Sequence, residues 1–392
     1  MELIRIEEGR REYLVPISSI RTNSPNKSDE AFFNSYQEIN RDLSILMLRA
    51  HQDIHSIDNI KICEPLCGIG VRSCRYTQEI NNSNLYGNDL NPKALAIFQQ
   101  NISLLPQKSR KSIQLFNMEA NQFLQYLNQK NEIFNFIDID PYGSPIPFVQ
   151  NAIKILNLKG LIALTATDLA NLAGIYPKAL YAKYGLSRFD TRVGNIHEIA
   201  ARALIAGIQR IALIHNQTLI PILTFYHRHF IRVFFIRYRG VKRILAETGF
   251  IIQCKKCQTI YSSIIGKINA CPGCNSADNY SLGPVYLGLL HDVNYITKIL
   301  NDPHLPNLGT QYLLKKLIKR IEEEIQISIP WSFDIPKITD QINTRLQPIT
   351  HLMDLLKDKG YNCSRTHFSG ASIKTTAPLS EIITILYEYN LK

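Results

Sequence analysis

The sequence predicts an α/β fold: a parallel sheet covered on both faces by helices, followed by a smaller α+β part. Three observations predict it. Short apolar runs alternate with amphipathic segments through the first two-thirds of the chain. A glycine-containing turn follows directly on the first of these runs. Beyond residue 248 the character changes, and two Cys-x₂-Cys pairs appear.

The elements follow in order. Residues 59–65 (NIKICEP) read as a strand, then a glycine turn and a helix near 70–80. Residues 84–90 (NLYGNDL) read as a second strand, with a helix opening at Pro92, a favoured first helical position. Residues 112–118, 134–140 and 160–167 supply the third, fourth and fifth strands, giving the parallel units of a doubly covered sheet. A long helix is expected over 192–215. Strands at 219–226 and 230–239 are separated only by His227, Arg228 and His229, which permits an antiparallel pair. Helical patterns at 285–301 and 309–327 precede a C-terminal α+β stretch. The boundary is placed near residue 248, giving domains 1–248 and 249–392.

Composition bounds the function. Lys and Arg outnumber Asp and Glu by 44 to 33, a net charge of +11, which suits a polyanionic partner. The N-terminus mixes charges of both signs and lacks the apolar core of a secretory signal. No apolar run approaches the roughly 20 residues needed to span a bilayer, so an intracellular protein with no membrane association is expected. Its eight cysteines are then thiols or metal ligands rather than disulfides. The Ile-, Asn- and Lys-rich composition hints at an AT-rich genome, so the expected compartment is cytoplasmic or organellar, the plastid stroma included. No protein partner is implied, and a monomer is expected.

The first strand runs into Glu64-Pro65-Leu66-Cys67-Gly68-Ile69-Gly70-Val71-Arg72. Glycines at such a turn let a ligand approach the backbone. At the end of the next strand sits Asp89, about 20 positions on, where a carboxylate suits ribose hydroxyls. Both features also permit a nicotinamide cofactor, but the six-residue GxGxxG fingerprint is broken at Ser73. A cofactor without a pyrophosphate, such as S-adenosylmethionine, tolerates the looser turn. Glu119-Ala120, past the third strand, is a third candidate contact, with a helix start as its plainer role.

The sharpest signal is Phe136-Ile137-Asp138-Ile139-Asp140-Pro141-Tyr142-Gly143-Ser144-Pro145. Proline has no N–H, so this backbone offers carbonyl acceptors. An exocyclic amine on a base is a poor nucleophile until its N–H bonds are held. The Asp140 carboxylate and the Pro141 carbonyl suit that task, and Tyr142 suits stacking on the base. The bland reading is a turn with a capping aspartate.

These residues resemble the tRNA (guanine(26)-N(2))-dimethyltransferase family over nearly the whole chain. The match includes Asn40-Arg41-Asp42, Cys67–Arg72, Asp89, Glu119-Ala120, Asp138–Pro145 and Thr165-Ala166-Thr167-Asp168. It continues through Tyr176-Pro177-Lys178, His227–Gly240, the cysteine pairs and Arg365-Thr366-His367-Phe368. The resemblance implies a Rossmann-like class I methyltransferase domain with a tRNA-binding C-terminal domain. It implies S-adenosylmethionine contacts from Arg41, Arg72, Asp89, Glu119 and Ala120, the target amine held by Asp140 and Pro141, and Phe32 packed on the target guanine. The chain departs from the family pattern at Phe33-Asn34-Ser35, where Tyr-Asn-Pro is usual. The implied reaction is an in-line attack of guanine N2 on the sulfonium methyl, in which the protein chiefly positions the reactants.

Cys254-x₂-Cys257 and Cys271-x₂-Cys274 flank 13 residues. Four thiolates in two pairs fit a closed tetrahedral Zn²⁺ site of structural type. Cys63, Cys67, Cys74 and Cys363 lack such pairing and are read as packing residues. Arg228, Arg232, Arg237 and Arg239 fall in a stretch without acidic residues, with Arg228 and Arg232 expected on one strand face and Arg237 and Arg239 on one face too. They are candidate phosphate contacts. His367 is given no catalytic role. Two rival readings share these motifs: an amino-methyltransferase acting on DNA or ribosomal RNA, and a zinc-containing tRNA-binding protein without catalysis.

Overall fold

The computed structural model describes residues 2–21, 31–186, 194–267 and 270–390. An antiparallel hairpin opens the chain: β1 (Leu3–Glu8) pairs with β2 (Arg11–Pro16) from Leu3↔Pro16 to Glu8↔Arg11. The helix Glu38–His55 follows. Seven strands then form the main sheet: β3 (Ile60–Glu64), β4 (Ser83–Asn88), β5 (Ile113–Phe116), β6 (Phe134–Ile139), β7 (Leu156–Ala166), β8 (Gln217–His227) and β9 (Phe230–Arg239). Their order is β5-β4-β3-β6-β7-β9-β8.

The first five of these strands are parallel, with registers such as Ile62↔Leu85, Ile62↔Phe136 and Ile137↔Ile162. Apolar side chains point to both faces: Ile62, Cys63, Phe136, Ile137, Leu161 and Ile162 have no exposed surface. That is why these strands read as apolar runs rather than as alternation. The strand order reverses between β3 and β6. In an open α/β sheet, the crevice at the C-terminal ends of the strands beside such a reversal is the usual ligand site.

The predicted elements match, with two differences. The helix expected over 192–215 spans Ile196–Ile214, its expected residues 192 and 193 lying outside the described residues. The helical pattern at 285–301 is split: β12 (Asn279–Tyr286) takes its start, and the helix is Val293–Leu300. Gly288 and a main-chain bond from Asp292 N–H to the Ile222 carbonyl at 2.9 Å interrupt what periodicity alone reads as one helix.

The chain divides into two compact units, and the division differs from a single cut near residue 248. The first comprises Met1–Thr165, Phe234–Tyr238 and Asn294–Ile318. Residues after 293 return to it because they bond there: Asp302 pairs with Arg49 at 2.9 Å, Tyr295 hydroxyl meets His51 Nδ1 at 2.8 Å, and Thr310 donates to Asp42 through its N–H (3.0 Å) and its hydroxyl (2.6 Å). The composition around residue 248 carries no trace of such long-range partners.

The second unit comprises Ala166–Val233, Arg239–Val293 and Lys319–Lys392. It holds a three-stranded antiparallel sheet in which β10 (Thr248–Cys254) lies between β11 (Ile260–Ile264) and β12. A second small sheet is built from β13 (Phe333–Asp334), β14 (Cys363–Thr366) and β15 (Ser369–Thr375), with β15 central. Its apolar face packs with Leu352, Leu356, Ile382 and Leu386 from two helices, giving the α+β end its own core. No helix among the described residues is long and apolar enough to cross a membrane.

Candidate active site at the strand tips

Strand β3 ends at Glu64, and the chain turns through Cys67–Gly70 into the helix Val71–Glu79. Gly68 and Gly70 have φ of 55° and 76°, a left-handed backbone that glycine adopts without penalty. A Cβ on Gly70 would lie 2.0 Å from the Phe98 ring, so packing also demands glycine there. A Cβ on Gly68 would meet nothing within 4 Å, and the same holds at Gly143 (φ 92°) in the loop after β6. Both glycines therefore border open space that a ligand can enter.

Asp89 Oδ2 accepts from the Gly68 N–H at 2.8 Å, and its Oδ1 accepts from the Asn91 N–H at 2.9 Å. Glu119 caps the helix Ala120–Gln129, accepting from the Gln122 N–H at 3.0 Å, and Ala120 is buried. Asn88 was missed by the sequence reading. Fully buried, it donates to the Pro65 and Met118 carbonyls and accepts from the Met118 N–H, each at 3.0 Å. It fastens the segments that follow β3, β4 and β5 to one another. Its only sequence signal is an amide side chain closing an apolar strand.

Arg72 is the electrostatic centre of the site. Its guanidinium is buried and donates to Asp138 Oδ2 at 3.1 Å, to Asn40 Oδ1 at 3.3 Å, and to Asp140 Oδ2 through a very short contact. Its Nε lies 3.7 Å from Glu64 Oε1. Tyr76 donates its hydroxyl to Asp138 Oδ2 at 2.5 Å. Three carboxylates thus share one guanidinium. Burial, with Asp138 beside it, pushes the Glu64 carboxyl up to about 8, against the pull of Arg72.

Arg41 is also buried. Its Nε and Nη2 each donate to Glu8 at 2.6 Å, and both terminal nitrogens reach the Asn34 carbonyl at 3.2 Å. Its guanidinium lies over the Phe33 ring at 4.9 Å. It therefore anchors the segment that carries Phe32. The Phe32 and Tyr142 rings are 5.7 Å apart and tilted by 54°, and Tyr142 is 70% exposed. The structure so brings Phe32, Arg72, Asp140, Pro141 and Tyr142 to one strand tip, with Gly68 and Asp89 on the neighbouring turn.

A model of the family described as N2,N2-dimethylguanosine tRNA methyltransferase matches residues 10–387. The chain belongs to that family. The tRNA (guanine(26)-N(2))-dimethyltransferase of Methanocaldococcus jannaschii is 31% identical over 391 residues, covering 98% of each chain. The enzyme of the same description from Methanopyrus kandleri is 30% identical over 393 residues, covering 99% of this chain and 97% of its own. A solved structure, Trm1 from Pyrococcus horikoshii in complex with S-adenosyl-L-methionine, is similar at a TM-score of 0.81 and 26% identity, covering 97% of this chain and 99% of the other. The resemblance read from the motifs is thereby borne out, together with the α/β class it implied.

Other family motifs have structural employment. Asp168 accepts from Lys183 Nζ at 2.9 Å, Tyr184 hydroxyl at 2.7 Å and Asn171 Nδ2 at 3.0 Å, so it holds the helix Pro177–Tyr184. Cys254 closes β10. Its Sγ is 3.5 Å from that of Cys274, Cys257 and Cys271 are 3.4 Å apart, and all four ligand atoms lie within 4.8 Å of one another. Zinc bonds of about 2.3 Å at tetrahedral corners need sulfurs about 3.8 Å apart, so this donor set fits the ion. The Thr259 hydroxyl lies 3.1 Å from the Cys257 sulfur, within hydrogen-bonding reach of it.

The basic strand needs a correction. Arg232 is fully buried within β9 and cannot present its charge to a phosphate on the surface. Arg228 is not on a strand at all: it sits in the two-residue turn between β8 and β9 at φ 48° and is exposed. Arg237 is half-buried and bonds the Leu156 carbonyl, whereas Arg239 is exposed at the strand end. Even spacing does not put these side chains on one exposed face, because the interior-facing and exposed parts of β9 change along its length. Residues 230–236 are buried irrespective of parity.

Proposed function

We propose that this protein methylates the exocyclic N2 of guanine at position 26 of tRNA, once or twice, using S-adenosylmethionine. The observation that carries the reading is the strand-tip constellation. A carboxylate held by a buried arginine, a proline carbonyl and an exposed aromatic ring stand beside a glycine turn open to a ligand. S-adenosylmethionine supplies the activated methyl group. Asp89, Glu119 and Ala120 on the tips of β4 and β5, with Arg41 and Arg72, are the residues proposed to hold it. Gly68 and Gly143 leave the room it needs.

The chain's own work is positioning. Arg72 occupies Asp140 Oδ2, which leaves Oδ1 to accept from the guanine amine. The Pro141 carbonyl takes the second N–H. With both bonds held, the nitrogen lone pair is turned from conjugation toward the methyl carbon, and Asp140 receives the proton as the new bond forms. Phe32 and Tyr142 touch each other, at a distance normal for packed aromatics. The guanine therefore stacks on the open face of Tyr142 rather than entering a slot between the rings. Reaching it costs the RNA a few kcal/mol of unstacking. Arg228 and Arg239 offer phosphate contacts. A tRNA substrate calls for an intracellular enzyme, cytoplasmic or organellar, and a monomer is the proposed state.

The test is mass spectrometry of tRNA nucleosides after incubation with labelled S-adenosylmethionine. N2-methyl- and N2,N2-dimethylguanosine are expected. Asp140→Ala is expected to slow transfer by about 10²–10⁴, with cofactor affinity kept. Label on adenine N6 or cytosine N4 would move the enzyme to another substrate. Near-parental turnover in Asp140→Ala would remove that residue from the reaction.

A further inference from the structure

The helix Gln311–Glu324 has no role in the chemistry above, yet its start is fixed to the helix that carries Asn40 and Arg41. Thr310 donates to Asp42 through its N–H at 3.0 Å and its hydroxyl at 2.6 Å. Two residues before Asp42, Asn40 accepts from Arg72 at 3.3 Å. Leu314, Ile318 and Ile321 fall at helical spacing, have no exposed surface and seat the helix. The opposite face presents Tyr312, Lys316 and Lys319 at i, i+4 and i+7, all exposed. Leu313 is exposed beside them, and Lys315 and Arg320 flank them half-buried.

Three features distinguish this face from an ordinary solvated one. First, residues 311–321 hold four cations and no anion, in a chain whose whole surplus is +11. Second, the charges are set against the helix's own stability. Lys315 with Lys319, and Lys316 with Arg320, are like-charge pairs at i, i+4, an arrangement that disfavours a helix. The last turn, where cations suit the helix dipole, carries the exposed Glu322 and Glu323 instead. None of the four cations has an ion-pair partner among the described residues. A polyanion lying along the face relieves their mutual repulsion. Third, Tyr312 is 79% exposed, more than any other large apolar side chain described. Cations in a row with an aromatic ring at one end match a nucleic-acid strand, whose phosphates meet the charges and whose base meets the ring. Glu323, on the same face, marks where the basic stripe stops.

We infer that this face is a further docking surface for the RNA substrate: Lys316 and Lys319, with Lys315 and Arg320 beside them, hold phosphates, and Tyr312 stacks on an exposed base. It adds to the phosphate contacts proposed for Arg228 and Arg239. Each phosphate bound releases condensed counterions, so the contact shows itself in the salt dependence of binding. These residues act on binding alone, and saturating tRNA restores the rate. The inference rests on the tRNA reading above, and the test separates the two.

Methyl transfer to tRNA by the parent is measured first. Its failure sinks the tRNA reading and this inference with it, whereas the outcomes below sink the inference alone. Binding of tRNA over a salt series and steady-state kinetics then address the face. Lys316→Ala/Lys319→Ala is expected to lower the slope of log affinity against log salt by about two units and to raise KM for tRNA about tenfold. Tyr312→Ala is expected to raise KM about fivefold, and Tyr312→Phe, which keeps the ring, to leave it at the parental value. In these variants kcat stays within about twofold, S-adenosylmethionine affinity is unchanged and the melting temperature holds, because alanine suits an exposed helix position. Lys108→Ala/Lys111→Ala removes the same charge from another exposed stretch and is expected to shift the slope by less than about one unit. An unchanged slope and KM in Lys316→Ala/Lys319→Ala overturn the inference. So does an equal loss in Lys108→Ala/Lys111→Ala, since the effect would then be one of overall charge. An equal rise in KM for Tyr312→Ala and Tyr312→Phe overturns the stacking role. Self-association in sedimentation that Tyr312→Ala abolishes, with KM unchanged, also overturns it, in favour of a second copy of this chain on the face.

Discussion

Arg72→Ala tests the electrostatic account of the strand tip most directly. In the parent, one buried guanidinium faces Asp138 at 3.1 Å, Asp140 in a very short contact and Glu64 at 3.7 Å. Removing it leaves Asp138 and Asp140 without their cation in a site where Asp138 has no exposed surface. Breaking a buried pair from one side costs about 3–5 kcal/mol. At about 2–4 °C per kcal/mol for a domain of this size, melting should fall by roughly 6–20 °C. The loss must also depend on pH. Without the pull of Arg72, the Glu64 carboxyl, which burial already raises to about 8, holds its proton to still higher pH in the folded state. The variant therefore loses further stability as pH rises through the raised folded value, and its deficit is larger near pH 8 than near pH 5.5. Circular-dichroism melting at the two pH values reads both effects, and calorimetry reads the accompanying weaker cofactor binding. Asp138→Asn added to Arg72→Ala should return part of the stability by removing one stranded charge. A deficit under about 1 kcal/mol, the worth of an exposed pair, or one that is the same at both pH values, would refute the reasoning.

Further outcomes follow from other parts of the chain. Metal analysis should find one zinc per chain, and Cys257→Ser or Cys271→Ser should lose it and lower the melting temperature, since structural zinc binding is folding free energy. Arg239→Ala and Arg228→Ala should each reduce the slope of log affinity for tRNA against log salt by about one unit. Arg232→Ala should leave that slope alone and destabilise the fold instead, measured by denaturant titration. Burial, with Glu8 and Asp42 nearby, raises the Glu38 carboxyl to about 7. Its folded pKa exceeds the model-compound value of 4.5, so the folded protein keeps this proton longer and loses stability as pH climbs from about 4.5 through 7. Glu38→Gln should therefore match the parent near pH 5 and exceed it near pH 8, by no more than about 1–2 kcal/mol given the solvent access of this half-buried group.

What the sequence made legible was whatever depends on neighbours along the chain. The β3 turn, Asp89 after β4 and the Asp-Pro-Tyr-Gly loop after β6 are each a strand end plus a few residues, and periodicity with turn chemistry locates them. The paired cysteines are legible for the same reason. What depends on distant partners was not. Arg72 was expected at the cofactor through the family resemblance alone, and nothing local shows that it also clamps Asp138, 66 positions away. Arg232 read as a phosphate contact because charge on a strand is a surface signal, and its burial arises only once β9 lies inside the sheet between β7 and β8. The return of residues 294–318 to the first unit depends on Tyr295, Asp302 and Thr310 meeting side chains some 240 to 270 positions earlier. Asn88 gives no motif, only a geometry.

The charge balance at the strand tip leads to a last expectation. Asp138, Asp140 and Glu64 meet at the single guanidinium of Arg72. With Glu64 pushed up to about 8, its carboxyl keeps its proton at neutral pH. The cluster therefore gains negative charge as pH rises through 8. The methyl donor carries a sulfonium charge that its thioether product lacks. A more negative tip attracts the former more than the latter, because low-dielectric surroundings strengthen the interaction. The preference for S-adenosylmethionine over S-adenosylhomocysteine should accordingly grow, by about threefold to tenfold, between pH 7 and 9. In Glu64→Gln, where no proton leaves that position, the ratio should stay flat over the same range. Competition binding of the two compounds at a series of pH values measures it. A ratio that rises equally in parent and variant would show that some other group titrates there and that Glu64 does not govern the tip.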